Sequence, residues 1–298
     1  MMKNEKKKVA LLSVFAAIFL TAFKMIIGIL TGSLGILSEA LHSTLDLVAA
    51  VITFFSVSIS DKPADKEHNY GHGKIENFSA LIETLLLLIT CIWIVYEAVS
   101  RLVSGNTHIE VNAWSYIVVI SAIVIDVTRS RALYKVAKKH NSQALEADAL
   151  HFSTDIWSST VVLFGLICAN FGLYFADSVA ALLVAALVVF VSFKLGKKAI
   201  DVLLDTAPQN TVHLVEEKLL SIPEVKSYHD LKIRSAGANT FIKVNVHLES
   251  DLSLMQVHEI CDMIERELND LISRSEVYIH AEPEDENHIK TENMGVCK

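Results

Sequence analysis

Apolar residues fill the first two thirds of the chain in stretches too long and too continuous for the surface of a water-soluble domain. Six of them, at 9–30, 34–59, 75–103, 113–137, 144–171 and 177–204, reach the length of about 20 residues that crosses a hydrocarbon core roughly 30 Å thick. Several exceed that minimum, which predicts tilt or extension beyond the membrane. Near Ala207-Pro208-Gln209-Asn210 the pattern changes. Residues 211–221 have helical spacing, and 225–235 and 240–249 read as strands. In the second strand Ile242, Val244, Val246 and Leu248 alternate with Lys243, Asn245 and His247. Gly237-Ala238-Asn239 supplies a turn between the strands, 254–271 is an amphipathic helix, and 277–280 is a last short strand. The expected architecture is a six-helix transmembrane bundle over 1–206. A small α+β domain of α-β-β-α-β order follows over 207–283. A polar tail, 284–298, is expected to be disordered.

Charge fixes the expected orientation. Lys3, Lys6, Lys7 and Lys8 precede the first span, and Lys62, Lys66 and Lys74 follow the second. Arg129, Arg131, Lys135, Lys138 and Lys139 gather near the fourth-to-fifth connection, and Lys194, Lys197 and Lys198 close the sixth span. The alternate loops are nearly free of positive charge, with Arg101 a mild exception, so the basic clusters and both termini are placed in the cytoplasm. The 298 residues are 52% hydrophobic, as membrane spans require, and the net charge of −8 is no nucleic-acid signature. Cys91, Cys168, Cys261 and Cys297 have no close spacing, which supports neither a disulfide framework nor a CxxC metal motif. The first apolar run continues past the length of a signal peptide and is read as a membrane helix.

One phrase occurs twice. Ala40-Leu41-His42-Ser43-Thr44-Leu45-Asp46 and Ala149-Leu150-His151-Phe152-Ser153-Thr154-Asp155 each place a histidine and a carboxylate four residues apart, one helical turn, inside an apolar run. An ionised side chain at the bilayer centre costs about 2.5–3.5 kcal/mol on the mildest scale. Two such pairs on two helices are most simply explained if they face each other. His42, Asp46, His151 and Asp155 then offer two imidazoles and two carboxylates, a set suited to tetrahedral Zn²⁺. A lone His or Asp in a span is often a packing hydrogen-bonder, but a repeated pair points to a metal or proton site.

Two other places gather ligand-type residues. Asp65, His68 and His72 can close on one ion if their loop folds back, or they form a solvated polar loop. His229, His247, His258 and His280, with Glu282, lie in the terminal domain. Three of these histidines fall in the expected strands, so one sheet can bring them together, although scattered surface histidines have the same spacing. Other polar groups in the spans are Lys24, expected to snorkel, and Glu39, one turn before His42. Asp126, Glu83 and Glu97 are read as structural hydrogen-bonders or members of a proton path. Gly28-x-x-x-Gly32 is a small-residue pattern for close helix packing.

With the paired His-x-x-x-Asp motifs, Tyr70-Gly71-His72-Gly73-Lys74, six apolar spans, His229-Asp230-Leu231 and Ile279-His280, the chain resembles the cation diffusion facilitator family over residues 1–283, and most of all its bacterial zinc and ferrous-iron efflux branch. The resemblance implies a homodimer in the cell (inner) membrane that exports divalent cations in exchange for protons. It implies a transport site at His42, Asp46, His151 and Asp155, and a second site at the cytoplasmic mouth formed by Asp65, His68 and His72. It further implies a binuclear zinc site at His229, His247, His258, His280 and Glu282 that steadies the terminal-domain dimer, and a charge interlock between Lys74 and Asp205. Two positions depart from the branch, which commonly has Asp where this chain has His42, and Asp where it has Glu282. The two-His, two-Asp set resembles zinc-restricted members and favours Zn²⁺ over hard ions that prefer oxygen. Fe²⁺, Cd²⁺ and Co²⁺ stay open as substrates. Only Lys138-Lys139-His140-Asn141-Ser142-Gln143 joins spans four and five, so the histidine-rich loop of eukaryotic relatives is absent.

Zinc binding competes with protons for imidazole and carboxylate. The expected cycle has His42 or His151 take a proton when the site faces outward and lose it when the site faces the cytoplasm. The chain is not expected to be an enzyme, because no carboxylate stands beside the pairs in an HExxH-like arrangement. A membrane zinc sensor without net transport is the alternative. A channel is disfavoured because four strong ligands hold an ion too tightly for fast conduction.

Overall fold

The computed structural model describes residues 2–31, 34–104, 113–170 and 175–284. Long helices form where the apolar runs predict them: α1 Met2–Thr31, α2 Leu34–Ser60, α3 Lys74–Ser104, α4 Ala113–His140, α5 Gln143–Asn170 and α6 Phe175–Leu203. α1 begins well before the apolar run, because Met2–Lys8 is rich in good helix formers and continues the same helix. Among the described residues, three stretches are long and apolar enough to cross a membrane: Glu5–Leu30, Ala40–Ser60 and Lys74–Ser100. α4 and α5 carry more charge, including Asp126, Arg129, Glu146, Asp148 and Asp155.

The chain divides into two compact units, Met1–Ile200 and Asp201–Lys298. In the first, α4 packs along α5 and α1 along α2; α2 and α3 also reach α5. The core between them is built of small residues with a few large ones: Ala10 and Ala17 of α1, Ala50 and Val57 of α2, Leu133 of α4, and Ala144, Ala149 and Phe152 of α5. Small side chains let helices approach closely where lipid gives no hydrophobic drive for association. At Gly28 an added Cβ would stand 2.8 Å from Leu37, so this glycine marks a close crossing of α1 and α2; Gly32 lies outside the described residues. Large apolar side chains such as Phe15, Trp93, Phe190 and Phe193 point outward, as a lipid-facing surface requires. α4 ends at Asn141, whose φ of 50° reverses the chain, and Ser142 starts α5.

The second unit runs α7 Gln209–Leu220, β1 Ser227–Ala236, β2 Asn239–Leu248, α8 Leu254–Leu271 and β3 Ser275–Pro283. β2 is central: β1 pairs with it antiparallel through a two-residue turn in which Gly237 takes φ 59°, and β3 joins it in parallel after the α8 crossover. α8 opens with a reciprocal capping box between Ser253 and Gln256. Ile242, Val244, Val246 and Leu248 bury one sheet face against Val215 and Leu219 of α7 and Ile264 and Leu268 of α8. That leaves the alternate residues of β2 on the opposite face. β3 is longer than its apolar pattern indicates, because pairing with β2 carries it through Glu282 and Pro283, and the Glu284 amide still donates to Leu248 O at 2.7 Å. The rest of the expected tail lies outside the described residues.

Candidate metal centres

α2 and α5 each present a histidine and an aspartate one turn apart, and their packing brings the two pairs together. His151 Nε2 lies 3.0 Å from Asp46 Oδ1 and 3.7 Å from Asp155 Oδ2. His42 Nε2 lies 3.6 Å from Asp155 Oδ1 and 3.9 Å from Asp46 Oδ1. Ligand atoms of His42, Asp46 and Asp155 all fall within 4.8 Å of one another. Two imidazole nitrogens and two carboxylates thus converge from two helices, with His151 almost fully buried and His42 about one third exposed. His42, Asp46 and Asp155 can hold one divalent cation, and His151, outside that three-residue group, contacts both carboxylates.

The surroundings hold further polar groups, several of them already noted in the spans from sequence. Lys24 does not snorkel: it is 5% exposed, and its Nζ donates to Ser43 Oγ at 2.8 Å, beside His42. Thr21 Oγ1 of the same helix donates to Ser43 O at 2.9 Å. Arg129, read from sequence as a flanking positive charge, is buried. It pairs with Asp126 at 3.3 Å, donates to Ser13 Oγ at 3.0 Å and stacks over the Phe152 ring at 3.5 Å. Ser13 in turn donates to Asp148, which lies one turn before His151. Glu83 is buried and accepts from the hydroxyls of Thr53 and Ser79. The side chains of Glu39 and Glu97 lie outside the described residues. The sequence periodicity of α1 and α4 does not mark Lys24 or Arg129 as buried.

Lys6 is also buried rather than a free flanking charge. Its ammonium bridges Asp61 at 2.6 Å and Glu76 at 2.9 Å, tying the start of α1 to the end of α2 and the start of α3. Ser60 and Ser142 complete the shell around Glu76.

Asp65, His68 and His72 do come together in the α2–α3 loop. Asp65 Oδ1 is 3.3 Å from His68 Nδ1, Asp65 Oδ2 is 3.4 Å from His72 Nε2, and the imidazole centroids are 4.4 Å apart. Gly71, at φ 75°, turns the chain back so that His72 meets Asp65. Amide hydrogen bonds from His68 and Glu67 hold the Asp65 carboxyl below the ordinary aspartate range and keep it ionised.

In the second unit the sheet register decides the site. Asn245 pairs with His229 on one side and His280 on the other, and His247 pairs with Glu282. All lie on the face opposite the apolar core. Glu282 is the hub: its oxygens lie 3.4 Å from His247 Nε2, 3.4 Å from His280 Nε2 and 3.8 Å from His229 Nε2. His229, His247 and Glu282 offer ligand atoms within 4.8 Å of one another. Asn245 was missed from sequence. Its Nδ2 donates to Glu282 Oε1 at 3.0 Å and stands 3.0 Å from His229 Nε2. His258 stands on α8, exposed, where Asp262 is its 3.7 Å neighbour. Asp205 pairs with Arg234 at 3.6 Å within the same unit, and Lys74 belongs to the first unit.

Residues 10–204 match the model described as the cation efflux transmembrane domain, and residues 207–284 match that of the cation efflux protein, cytoplasmic domain. An uncharacterized transporter of Methanocaldococcus jannaschii is 34% identical over 280 residues, covering 94% of this chain and 99% of its own. The cation-efflux pump FieF of Yersinia enterocolitica is 30% identical over 256 residues, covering 85% and 84%. A solved chain described as a candidate zinc transporter, CzrB, is 29% identical with a TM-score of 0.26, over 26% of this chain and 98% of that one.

Proposed function

The chain belongs to the cation efflux family, and from that premise we propose that it exports Zn²⁺ from the cytoplasm in exchange for protons. The observation that carries this reading is the convergence of His42, Asp46, His151 and Asp155 between α2 and α5. Mixed imidazole and carboxylate ligands suit Zn²⁺, and Fe²⁺, Cd²⁺ and Co²⁺ are the further substrates such a set admits. All six long helices of residues 1–206 span the inner membrane, both termini are cytoplasmic, and the α+β domain at 207–283 is a cytoplasmic dimerisation domain.

Coupling follows from shared ligands. A histidine that binds zinc cannot hold a proton on the same nitrogen, and the ordinary imidazole pKa, near 6.5, lies close to cellular pH. Outward exposure lets a proton replace the cation on His42 or His151. Return to the cytoplasmic face releases it, and alternating access makes the exchange a net antiport. The His151 Nε2–Asp46 Oδ1 contact of 3.0 Å sets this imidazole beside the carboxylate, and it opens when the cation takes the nitrogen.

Of the other two centres, the one in the terminal domain serves regulation. Asp65, His68 and His72 bind a cation at the cytoplasmic mouth. The donor set of His229, His247 and Glu282 fits Zn²⁺, with His280, 3.4 Å from Glu282, beside it and His258 of α8 the remaining ligand of the proposed binuclear site in the homodimer. Zinc there would neutralise Glu282 and fix the exposed sheet face.

The test is zinc uptake into liposomes carrying the purified protein, with and without an imposed pH gradient. Wild type accumulates zinc and responds to the gradient, and Asp155→Ala abolishes uptake. Zinc binding without flux at any gradient would make the protein a sensor and overturn the carrier reading.

A further inference from the structure

Two carboxylates buried in the membrane unit take no part in the exchange described above. Asp148 of α5 and Glu83 of α3 are both 0% exposed. Asp148 Oδ2 accepts from Ser13 Oγ at 3.3 Å, and its Oδ1 is buried without a partner. Glu83 Oε1 accepts from Thr53 Oγ1 and from Ser79 Oγ, the latter at 3.2 Å, and its Oε2 is buried without a partner. Among the described residues no basic side chain forms an ion pair with either one. Arg129, which donates to Ser13, forms its ion pair with Asp126 at 3.3 Å. Buried carboxylates are normally paired or coordinate a metal.

Helix geometry places both groups on one side of the transport site. The contacts of His42 with Asp155 at 3.6 Å and of Asp46 with His151 at 3.0 Å require α2 and α5 to run antiparallel. Asp148 stands one turn, about 5 Å, before His151 on α5. Thr53, which holds Glu83, stands two turns, about 10 Å, past Asp46 on the same face of α2. In antiparallel helices both steps lead toward the same end of the bundle. That end carries the Asp65, His68 and His72 loop and is proposed to face the cytoplasm. Ala50 and Val57 of α2 share a buried cluster with Ala144, Leu145 and Ala149 of α5, so the helices stay packed along this stretch. α3, which carries Glu83, packs on both of them.

We propose that Glu83 and Asp148 form a second cation station, where a divalent cation entering from the cytoplasm is held before it passes to the four-ligand site. Two carboxylates, with the hydroxyls of Ser13, Thr53 and Ser79 around them, make an all-oxygen set. Such a set binds Zn²⁺ more weakly than one that includes imidazole, so the cation moves from a weaker site to a tighter one. The proposal rests on the four-ligand transport site and on the orientation given above.

The experiment measures zinc uptake into proteoliposomes with and without an imposed pH gradient. It reads KM, maximal rate and the inhibition constant of Mn²⁺ for wild type, Glu83→Gln, Asp148→Asn and Asp155→Ala. The two amide variants keep the shape of the side chain and remove one negative charge. Each should raise KM about tenfold, keep the maximal rate within about twofold and keep the response to the gradient. Mn²⁺ prefers oxygen ligands and competes for the station, so its inhibition constant should rise in both variants. An unchanged KM in both variants overturns the proposal and makes the carboxylates packing groups. Loss of the gradient response with KM unchanged also overturns it, because the pair then carries protons. A raised KM with the Mn²⁺ inhibition constant unchanged places the defect at the four-ligand site and overturns it as well. If one amide variant does not fold, the other decides by the same criteria. Asp155→Ala separates the two readings: if it transports zinc normally the four-ligand site falls, and if it is inactive while the amide variants leave KM unchanged the station alone falls.

Discussion

Replacing Asp46 by Asn tests the chemistry of the transport site with little disturbance of its shape. The two side chains are nearly isosteric, and Asn keeps a carbonyl oxygen that can face His151. What is lost is charge. Asp46 is 8% exposed, and its Oδ1 stands 3.0 Å from His151 Nε2 and 3.9 Å from His42 Nε2. A hydrogen bond to a charged group is worth about 1.5–3 kcal/mol net, against roughly 0.5–1.5 for a neutral one. The loss of charge assistance alone is therefore worth about 1 kcal/mol. The larger effect is on the cation. Two unit charges at contact distance interact by several kcal/mol at an effective dielectric constant near 20, and a divalent ion feels twice that. Even after discounting for what hydration returns, a loss of about 3 kcal/mol corresponds to a factor of order 10² in affinity. Asp46→Asn should raise KM for zinc in proteoliposomes by at least about that factor, while the purified protein keeps the helical content and elution of wild type. A variant with wild-type KM would refute the reasoning, because it would mean that the carboxylate is a packing hydrogen-bonder and the cation binds elsewhere.

Two further outcomes follow from the membrane unit. Lys6→Met removes one member of a buried cluster and leaves Asp61 and Glu76 uncompensated, which costs about 3–5 kcal/mol, so thermal unfolding in detergent should shift well below wild type. An unchanged transition would show that the cluster is hydrated. The Asp65 carboxyl is held below its ordinary value of 3.8 by the His68 and Glu67 amides. A depressed carboxylate contributes stability above its ordinary value and loses it as pH falls through the lowered one. Protection of those two amides against hydrogen exchange should therefore stay level from pH 7 to 5, after correction for intrinsic exchange, and weaken only below pH 3.8. A loss already at pH 5 would contradict the assignment.

The sequence by itself determined the elements and the repeated ligand pairs. Long apolar runs have few alternatives to helices, because backbone groups in lipid must bond within their own segment. His42 and Asp46, and His151 and Asp155, share a helix face whatever the helices pack against, since the period of the helix is local. The alternation of Ile242, Val244 and Val246 with Asn245 and His247 likewise fixed which face of β2 is core, because a strand has no other way to bury every second side chain. Tertiary structure alone decided which residues meet. That α2 faces α5 was inferred from the repeated pairs, but the particular meeting of His151 with Asp46 depends on the small residues along both helices, which no local pattern encodes. The burial of Lys24, Lys6 and Arg129 was invisible for a related reason. A lysine or arginine in sequence reads as an exposed charge, and only the neighbours supplied by other helices turn it into a buried partner. Asn245 became the link between His229 and Glu282 through the register of three strands, which is set by the Gly237 turn, the bulge after His229 and the α8 crossover rather than by Asn245 itself.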